Sequence, residues 1–518
     1  MNKQHDKLKK EIEEFRELGH QFLDKKISVG DFKGKSGGMG VYAQRGGNSF
    51  MIRLRTNSGL LPLKRLQLIN SFIDSYDIKN IHLTTRQAIQ LHNLGIDDVC
   101  DIMSTALDND LYTRGGGGNF PRNVALSPMT GVEKGESFDG TEVANAISSY
   151  LIEQITEYKL PRKLKISVST SSNDSANSTI NDLGFMGKIE NGKPCFDLYL
   201  AGGLGSNPEV AIKYPEKIDP NEVLYYVEAM VNLFVAEGDY KNKAKARTRY
   251  IPKRMGVEEF IACYKEHVKK VKESKDMTLD LKLEPSVTLK NYTHMFDETP
   301  YLIPQRQDGL YTAIIHPMCG ILDSKDFKNI VKFLEENENC EARLSMDENI
   351  YVRNLDTNQA LKLLEITTKF RAHNKISQSL SCVGVPTCQI GIEESQALIR
   401  SILTHLVENN LPQEHLPQIH VSGCQNSCAR HQVAELGFIG GKKKVGESLE
   451  SVFTLYHGGQ VEDGKTKLGE PVGSMIARDI PEFIGELAGK LSSQRENFGE
   501  FCAAHQDEFT NLVKKYSL

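Results

Sequence analysis

Hydrophobic positions between Phe50 and Leu94 change period in a fixed order. FMIRLRT alternates like a strand, Gly59 marks a turn, and LPLKRLQLINSFIDSY repeats its apolar residues at helical spacing. Two more alternating runs follow, the second of them AIQLHNL. The same order recurs from Tyr311 to Leu355, every position displaced by 261 without a gap. Gly59 matches Gly320, Phe72 matches Phe333, Leu83 matches Leu344 and Asn93 matches Asn354.

A second pair of segments follows at another offset. LPRKLKISVST from Leu160 corresponds loosely to LPQIHVSG from Leu416, and LGFMG from Leu183 matches LGFIG from Leu436, displaced by 253. FDLYLAGG from Phe196 then echoes FTLYHGG from Phe453. The pattern predicts an α+β protein made of a duplicated two-part unit, with pseudo-twofold symmetry and a site near the axis. Outside the repeats, Leu8, Ile12, Phe15, Leu18 and Phe22 share one face of an N-terminal helical arm. YKNKAKARTRYIPKRMG from Tyr240 reads as a basic helix with an exposed face, or as a docking patch for an acidic carrier. A linker is expected around Tyr292–Gln307, where Pro300 and Pro304 interrupt periodicity. One or two helices are expected after Ile480.

Composition narrows the class. The 518 residues are 39% hydrophobic and 25% charged, values of ordinary globular domains, and no run approaches the ~18 apolar residues of a membrane span. The first residues are charged and lack an apolar stretch, so neither a secretory signal nor an anchor is expected, and the expected compartment is the cytoplasm. A net charge of −5 argues against general nucleic-acid binding. Any anionic ligand therefore needs local clusters of cations.

Six of the ten cysteines are isolated and read as small buried hydrophobes. The other four pair: Cys382 and Cys388 in SCVGVPTCQIG, Cys424 and Cys428 in HVSGCQNSCARHQVAELGFIG. Neither pair has the two-residue gap favoured in zinc ribbons, and no C-x-x-C-H haem attachment is present. Four thiolates from two loops are a common ligand set for a 4Fe–4S cluster, with a structural zinc site or chance clustering as the other readings. Glycine-rich Gly202–Gly205 lacks the G-x-G-x-x-G form of a dinucleotide site and reads as a tight turn. Arg114–Asn119 reads as a permissive loop, mobile beside the site.

Ser422-Gly423-Cys424, Cys428 and Glu435-Leu436-Gly437-Phe438, preceded by the Cys382/Cys388 segment, together resemble the signature of sirohaem-dependent nitrite and sulfite reductases. The likeness runs from about Gly38 to the tail and includes the duplication. It implies ferredoxin-like half-domains plus two mixed α/β domains. The implied division is a helical arm at 1–47, half-domains at 48–115 and 306–372, a sirohaem- and substrate-binding domain at 116–300, and a cluster- and sirohaem-binding domain at 373–518. It further implies a 4Fe–4S cluster on Cys382, Cys388, Cys424 and Cys428, with the Cys428 thiolate joining cluster to sirohaem. Candidate cations fall in MIRLRT (Arg53, Arg55), LTTRQAIQ (Arg86), NFPRNVAL (Arg122) and LPRKLKI (Arg162, Lys163, Lys165). By the resemblance, Arg53, Arg122, Lys163 and Lys165 surround a bound oxyanion. Thr84, Arg86, Gln90 and Arg162 contact sirohaem. His82 stands where the family can carry an arginine, so that contact is not carried over.

The implied activity is six-electron reduction of a small oxyanion. Lys165 and the Val385–Cys388 stretch resemble the sulfite branch, so sulfite is the expected substrate and nitrite the alternative. Ferredoxin or a separate flavoprotein is the expected donor, and the chain is expected to be monomeric. A non-catalytic iron–sulfur electron-transfer subunit, a zinc-bound structural protein and a dissimilatory subunit are the readings from other classes.

Overall fold

The computed structural model describes residues 3–287 and 294–518. Its four five-stranded sheets fall into two kinds. The first kind pairs strands Val41–Ala43, Phe50–Arg55, Ala88–Leu94 and Asn80–Leu83 in that order, all antiparallel. Its fifth strand, Ile321–Asp323, comes from the second repeat and lies against Asn80–Leu83. The mate sheet orders Leu302–Pro304, Tyr311–Ile315, Ile350–Leu355 and Glu341–Leu344, and borrows Leu60–Leu61 from the first repeat. Leu60 and Ile321 are 261 apart, so the two repeats exchange equivalent strands.

Backbone conformation keeps the same register. Ser58 and Cys319, Gly59 and Gly320, Gln87 and Glu348, and Asn93 and Asn354 are four mated pairs, all with positive φ. Both repeats bend at the same residues, and the left-handed turns locate the exchange. One common core fills the space behind both sheets, joining Ile52, Leu54 and Leu91 to Ile315, Val352 and Leu355.

The second kind of sheet is mixed. Ala125–Leu126, Ile166–Ser169 and Leu183–Glu190 run parallel, followed by antiparallel Lys193–Leu200 and Ile212–Ile218. Its mate repeats the order with Leu380–Ser381, Ile419–Ser422, Leu436–Val445, Ser448–His457 and Glu470–Ile476. Ile166 pairs with Leu183 as Ile419 pairs with Leu436. The offset of 253 therefore holds through these two strands, while in the next strand Leu200 and His457, opposite Leu183 and Leu436, are 257 apart; the mate of Lys165 is Gln418. The looser alignment of Leu160 with Leu416 is corrected by that pairing. Gly184 and Gly437 sit against the carbonyls of Ser178 and His431, where a Cβ has no room.

Peripheral elements differ from the sequence expectations in three places. The helical arm forms as Lys3–Leu23, burying Leu8, Ile12, Phe15 and Phe22, but the chain before Gly47 also supplies the edge strand Val41–Ala43. The expected linker begins at Tyr292, outside the described residues, and its later part contains strand Leu302–Pro304. Proline is tolerated there because the strand lies on a sheet edge. The tail holds three helices, Ile480–Gln494, Phe498–Ala504 and Gln506–Tyr516. Asn497 and Glu500 form a capping box that restarts the chain after the first.

Candidate active site

Alternation along Phe50–Arg55 sends Ile52 and Leu54 into the core and leaves Arg53 and Arg55 on the other face. Arg53 Nη1 donates to Gly116 O at 2.7 Å. With its amide oriented to satisfy both sides, Gln90 accepts from Arg53 Nη2 at 2.6 Å and donates to His82 Nδ1 at 3.0 Å. Buried Arg55 donates to Asn123 Oδ1 at 3.1 Å and to Arg114 O at 3.0 Å. Arg122 Nη2 donates to Gly118 O at 2.7 Å. The Arg114–Asn119 loop thus holds three arginines by its carbonyls. It is also wedged against Gly37, Gly38 and Tyr42, and a Cβ on Gly117 would collide with Gly37 O and the Tyr42 hydroxyl.

Thr84 and Arg86 sit in the turn before Ala88–Leu94. Thr84 Oγ1 accepts from the backbone N–H groups of Arg86 at 3.3 Å and Ala88 at 3.1 Å, shaping the turn itself. Arg86 Nη2 donates to Ile166 O at 2.6 Å, while its Nε and Nη1 are buried without a partner among the described residues. Next to it, Thr85 Oγ1 donates to Cys428 O at 2.8 Å, tying this turn to the cysteine loop.

Lys163 and Lys165 share the face opposite buried Leu164 and Ile166. Asp182, wholly buried, accepts from Arg247 Nη2 at 2.8 Å and Nε at 3.2 Å, from Thr248 Oγ1, and from the Lys165 N–H at 2.8 Å. Arg249 donates to Asn207 O and lies 5.2 Å over the Tyr250 ring. Burial, with Arg247 and Arg122 close by, pushes Lys163 down to about 7. Burial and then Lys163 and Arg86 depress Lys165 further. Burial also brings Arg86 and Arg122 each down to about 9. Arg162, half-buried, adds its charge to the field on Lys163.

The two cysteine loops are bonded to each other. Cys382 N donates to Val421 O at 3.1 Å, Gly423 N to Cys382 Sγ at 3.1 Å, and Ile392 N to Gly423 O at 3.0 Å. Asn426 Nδ2 reaches Cys424 Sγ at 3.4 Å. Burial pushes the Cys382 thiol up to about 12, with Cys428 adding to the rise. Burial raises Cys428 too, while the ammoniums of Lys163 and Lys165 oppose it and Cys424 and Cys388 reinforce it. The structure therefore brings all four cysteines and the two lysines into one electrostatic neighbourhood. Cys428 is exposed, with the other cysteines and the two lysines close enough to act on its thiol or, for Cys382, to be acted on by it.

Among the described residues, no three or more His, Cys, Asp or Glu close around a single metal ion. The spacing disfavours mononuclear zinc; a four-iron cluster takes its thiolates at separate corners. Sirohaem carries eight carboxylates, and the convergent cations, including the two unpartnered nitrogens of buried Arg86, suit such a group. Both donor sets fit.

Sequence reasoning missed Arg247, Arg249 and Asp182. The 240–249 segment is not the expected exposed helix, since helix begins only at Tyr250. Lys241, Lys243 and Lys245 are exposed, whereas Ala246, Arg247, Thr248 and Arg249 are buried. Small Ala246 and Thr248, alternating with the two arginines, were the available signal. Gly202–Gly205 is not the expected tight turn: Gly203 pairs with Glu209 through two backbone hydrogen bonds, and Gly205 lies in the loop they close. Gly205 exchanges two hydrogen bonds with Gln432, at 3.0 and 2.7 Å, beside the cysteine loop.

A cavity of about 890 Å3 lies elsewhere, lined by Ser175, Asp347, Gln418, His420 and Arg430 among others. Ser175, Asp347 and Gln418 are the repeat mates of Cys428, Arg86 and Lys165. The cavity is thus the symmetry partner of the cation and cysteine site, and the chemistry is absent from that side.

Comparison with known proteins agrees with this architecture. Residues 42–108 and 303–369 match the Nitrite/Sulfite reductase ferredoxin-like half domain, and residues 117–272 match the Nitrite and sulphite reductase 4Fe-4S domain. The latter match carries Arg122, Lys163, Lys165 and Arg247, and the four cysteines lie in its internal mate. A ferredoxin–nitrite reductase of Synechococcus elongatus is 26% identical over 92% of this chain and 92% of its own length. An assimilatory ferredoxin-dependent nitrite reductase of Haloferax mediterranei is 25% identical, covering 99% and 91%. A ferredoxin sulfite reductase of Mycolicibacterium paratuberculosis is 24% identical, covering 80% and 77%. The structure of the Mycobacterium tuberculosis NirA protein superposes with a TM-score of 0.76 at 20% identity, covering 94% of this chain and 92% of that one. The chain belongs to the nitrite and sulfite reductase family. It is an oxidoreductase with the duplicated fold of that family, and its cofactors are sirohaem and a 4Fe–4S cluster.

Proposed function

We propose that this chain reduces nitrite to ammonia with electrons from ferredoxin, and that the site described above is where it does so. The observation that carries the reading is that Lys163 and Lys165 lie close enough to Cys428 for their ammoniums to act on its thiol, with Arg122 beside Lys163 and the Cys428 carbonyl held by Thr85 next to Arg86. Cys382, Cys388, Cys424 and Cys428 would hold the cluster, with Cys428 shared with sirohaem. Thr84, Arg86, Gln90 and Arg162 would face the macrocycle, joined by Arg247 and Arg249. The sirohaem and cluster pair, when bound, supplies the electrons for the six-electron reduction.

The chain's own residues bind, orient and protonate. Arg53 and Arg122 are held by backbone carbonyls in fixed positions, so they can neutralise an oxyanion without first reorganising. Each cation within ~4 Å of an anion contributes on the order of a few kcal/mol at an effective dielectric near 20. Oxygen must leave as water, so protons must accompany the electrons. Lys163, brought to about 7, can hold or release a proton at neutral pH.

The sequence leans towards sulfite on the strength of Lys165 and the Val385–Cys388 stretch. The relatives are named mostly for nitrite, so they do not favour sulfite over nitrite. Sulfite to sulfide is kept as the second reading, favoured by a second lysine in the cation cluster and by a relative named for sulfite. Anaerobic turnover with a reduced dye and each anion in parallel decides: kcat/KM is expected to be higher for nitrite, and the reverse order selects sulfite. Among the described residues no helix is long and apolar enough to cross a membrane. We place the reaction in the cytoplasm, in a single chain divided as the resemblance implies.

A further inference from the structure

Helix Lys3–Leu23 packs on the body through Leu8, Ile12, Phe15 and Phe22, and most of its acids face water: Asp6, Glu13, Glu14 and Glu17 are exposed. Glu11 is different. It stands three residues after Leu8 and four before Phe15, on the packed side of the helix, and is half-buried. Glu11 Oε2 accepts from Arg114 Nε at 2.8 Å, with 24% of the Glu11 side chain and 18% of the Arg114 side chain exposed. The Arg114 guanidinium also lies 4.4 Å over the Phe120 ring, and its Nη1 fills the space where a Cβ on Gly38 would stand. The side chain is therefore fixed on three sides, by a carboxylate, by an aromatic ring and by the backbone of helix Val29–Met39.

Arg114 opens the loop whose carbonyls hold the arginines of the site. Its own O accepts from Arg55, Gly115 O from Arg122 Nη1 at 3.3 Å, Gly116 O from Arg53, and Gly118 O from Arg122 Nη2. The four glycines between, with positive φ at Gly115 and Gly118, have no side chains to hold that arrangement, and glycine loses more freedom than any other residue on being ordered. Their placement comes from the flanks of the loop and from backbone bonds, Gly115 N to Gly38 O and Gly116 N to Thr113 O, both at 2.8 Å. Arg114 is the charged flank. Its charge is matched by Glu11, so it places carbonyls rather than attracting an anion. We propose that Glu11 is a positioning residue for anion binding: through Arg114 it fixes the carbonyls that aim Arg53 and Arg122. The proposal rests on the functional reading above, which takes those two arginines as oxyanion ligands.

The test uses the full holoprotein, a reduced dye and the better substrate of nitrite and sulfite. Glu11→Ala is expected to raise KM for that anion about five- to tenfold, as for the loss of one partly exposed charge-assisted hydrogen bond, with kcat changed less than about twofold. Glu11→Gln keeps an acceptor for the Arg114 N–H and should recover part of the loss. Hydrogen exchange gives a readout independent of turnover: the Gly115 and Gly116 amides should exchange faster in Glu11→Ala than in the parent. Arg16→Ala is the control, because Arg16 ties the same helix to Asp97 and Asp101 of helix Ile96–Asp108, at 3.1 and 2.8 Å, rather than to the loop. It should leave both readouts unchanged. Unchanged KM in Glu11→Ala would overturn the proposal. So would an equal rise in Arg16→Ala, which would mean that the helix acts only by covering the body. If the parent reduces neither anion, the functional reading fails instead, and exchange at Gly115 and Gly116 still decides whether Glu11 holds the loop.

Discussion

Lys163 shows how a net-negative protein holds anions. Its ammonium is buried among Arg122, Arg162 and Arg247, and loses charge near pH 7 rather than near 10.5. Below about 7 the side chain is charged in both folded and unfolded protein. Between about 7 and 10.5 only the unfolded chain carries the proton, so this group adds stability to the cofactor-free protein as pH rises through that window. Anion affinity runs the other way, because the charge that attracts the oxyanion is the one being lost. KM for nitrite is therefore expected to rise as pH increases through about 7, with the rise abolished in Lys163→Arg, whose guanidinium stays charged. A pH profile identical in variant and parent would remove Lys163 from the site. Cys428 gives the complementary residue-scale prediction. Cys428→Ser is expected to cut six-electron turnover by more than about 100-fold and to deplete the sirohaem absorption. Normal spectra would refute the shared thiolate.

At the scale of elements, the strands of the site were legible because each carries a clean alternation. Ile52 and Leu54 against Arg53 and Arg55, and Leu164 and Ile166 against Lys163 and Lys165, declare one face for the core and one for charge. The segment before Tyr250 was not legible. Its lysines and arginines look alike in sequence, and what buries Arg247 is Asp182, 65 residues earlier, in a loop whose conformation is fixed by its own turns. Local pattern holds no record of such a pairing. Asp182 in turn holds Arg247, Thr248 and the Lys165 N–H in place, so its loss strands a buried guanidinium. Asp182→Ala is expected to cost about 3–5 kcal/mol, read from the shift of a urea unfolding midpoint. A change under about 1 kcal/mol would mean that Arg247 finds solvent instead.

On the scale of the whole molecule, the duplication was readable because the offset of 261 runs without a gap through elements whose turns need special backbone angles. What the offsets could not show is that each antiparallel sheet borrows its fifth strand from the other repeat. The halves are consequently not separable, and residues 1–287 and 294–518 expressed apart are each expected to be insoluble or unfolded, by circular dichroism and gel filtration. The same symmetry also frames how much cofactor the chain can load. Its mate side, where the cavity of about 890 Å3 lies, has Asp347 for Arg86, Gln418 for Lys165 and Ser175 for Cys428 in the lining, and in sequence Leu416 stands for Lys163 and Ser171 for Cys424. Hydroxyls do not replace thiolates at iron, and a carboxylate repels a carboxylate-rich macrocycle. Fully loaded protein is expected to contain one sirohaem and one 4Fe–4S cluster per chain, by macrocycle extraction and iron and sulfide analysis. Ser175→Cys alone is not expected to raise either number, because the other thiolates are still missing and the mates of Arg86, Lys163 and Lys165 are not cations. Two sirohaems per chain in the parent would show that the thiolate and the cations are dispensable, and would dissolve the link drawn between them at the first site.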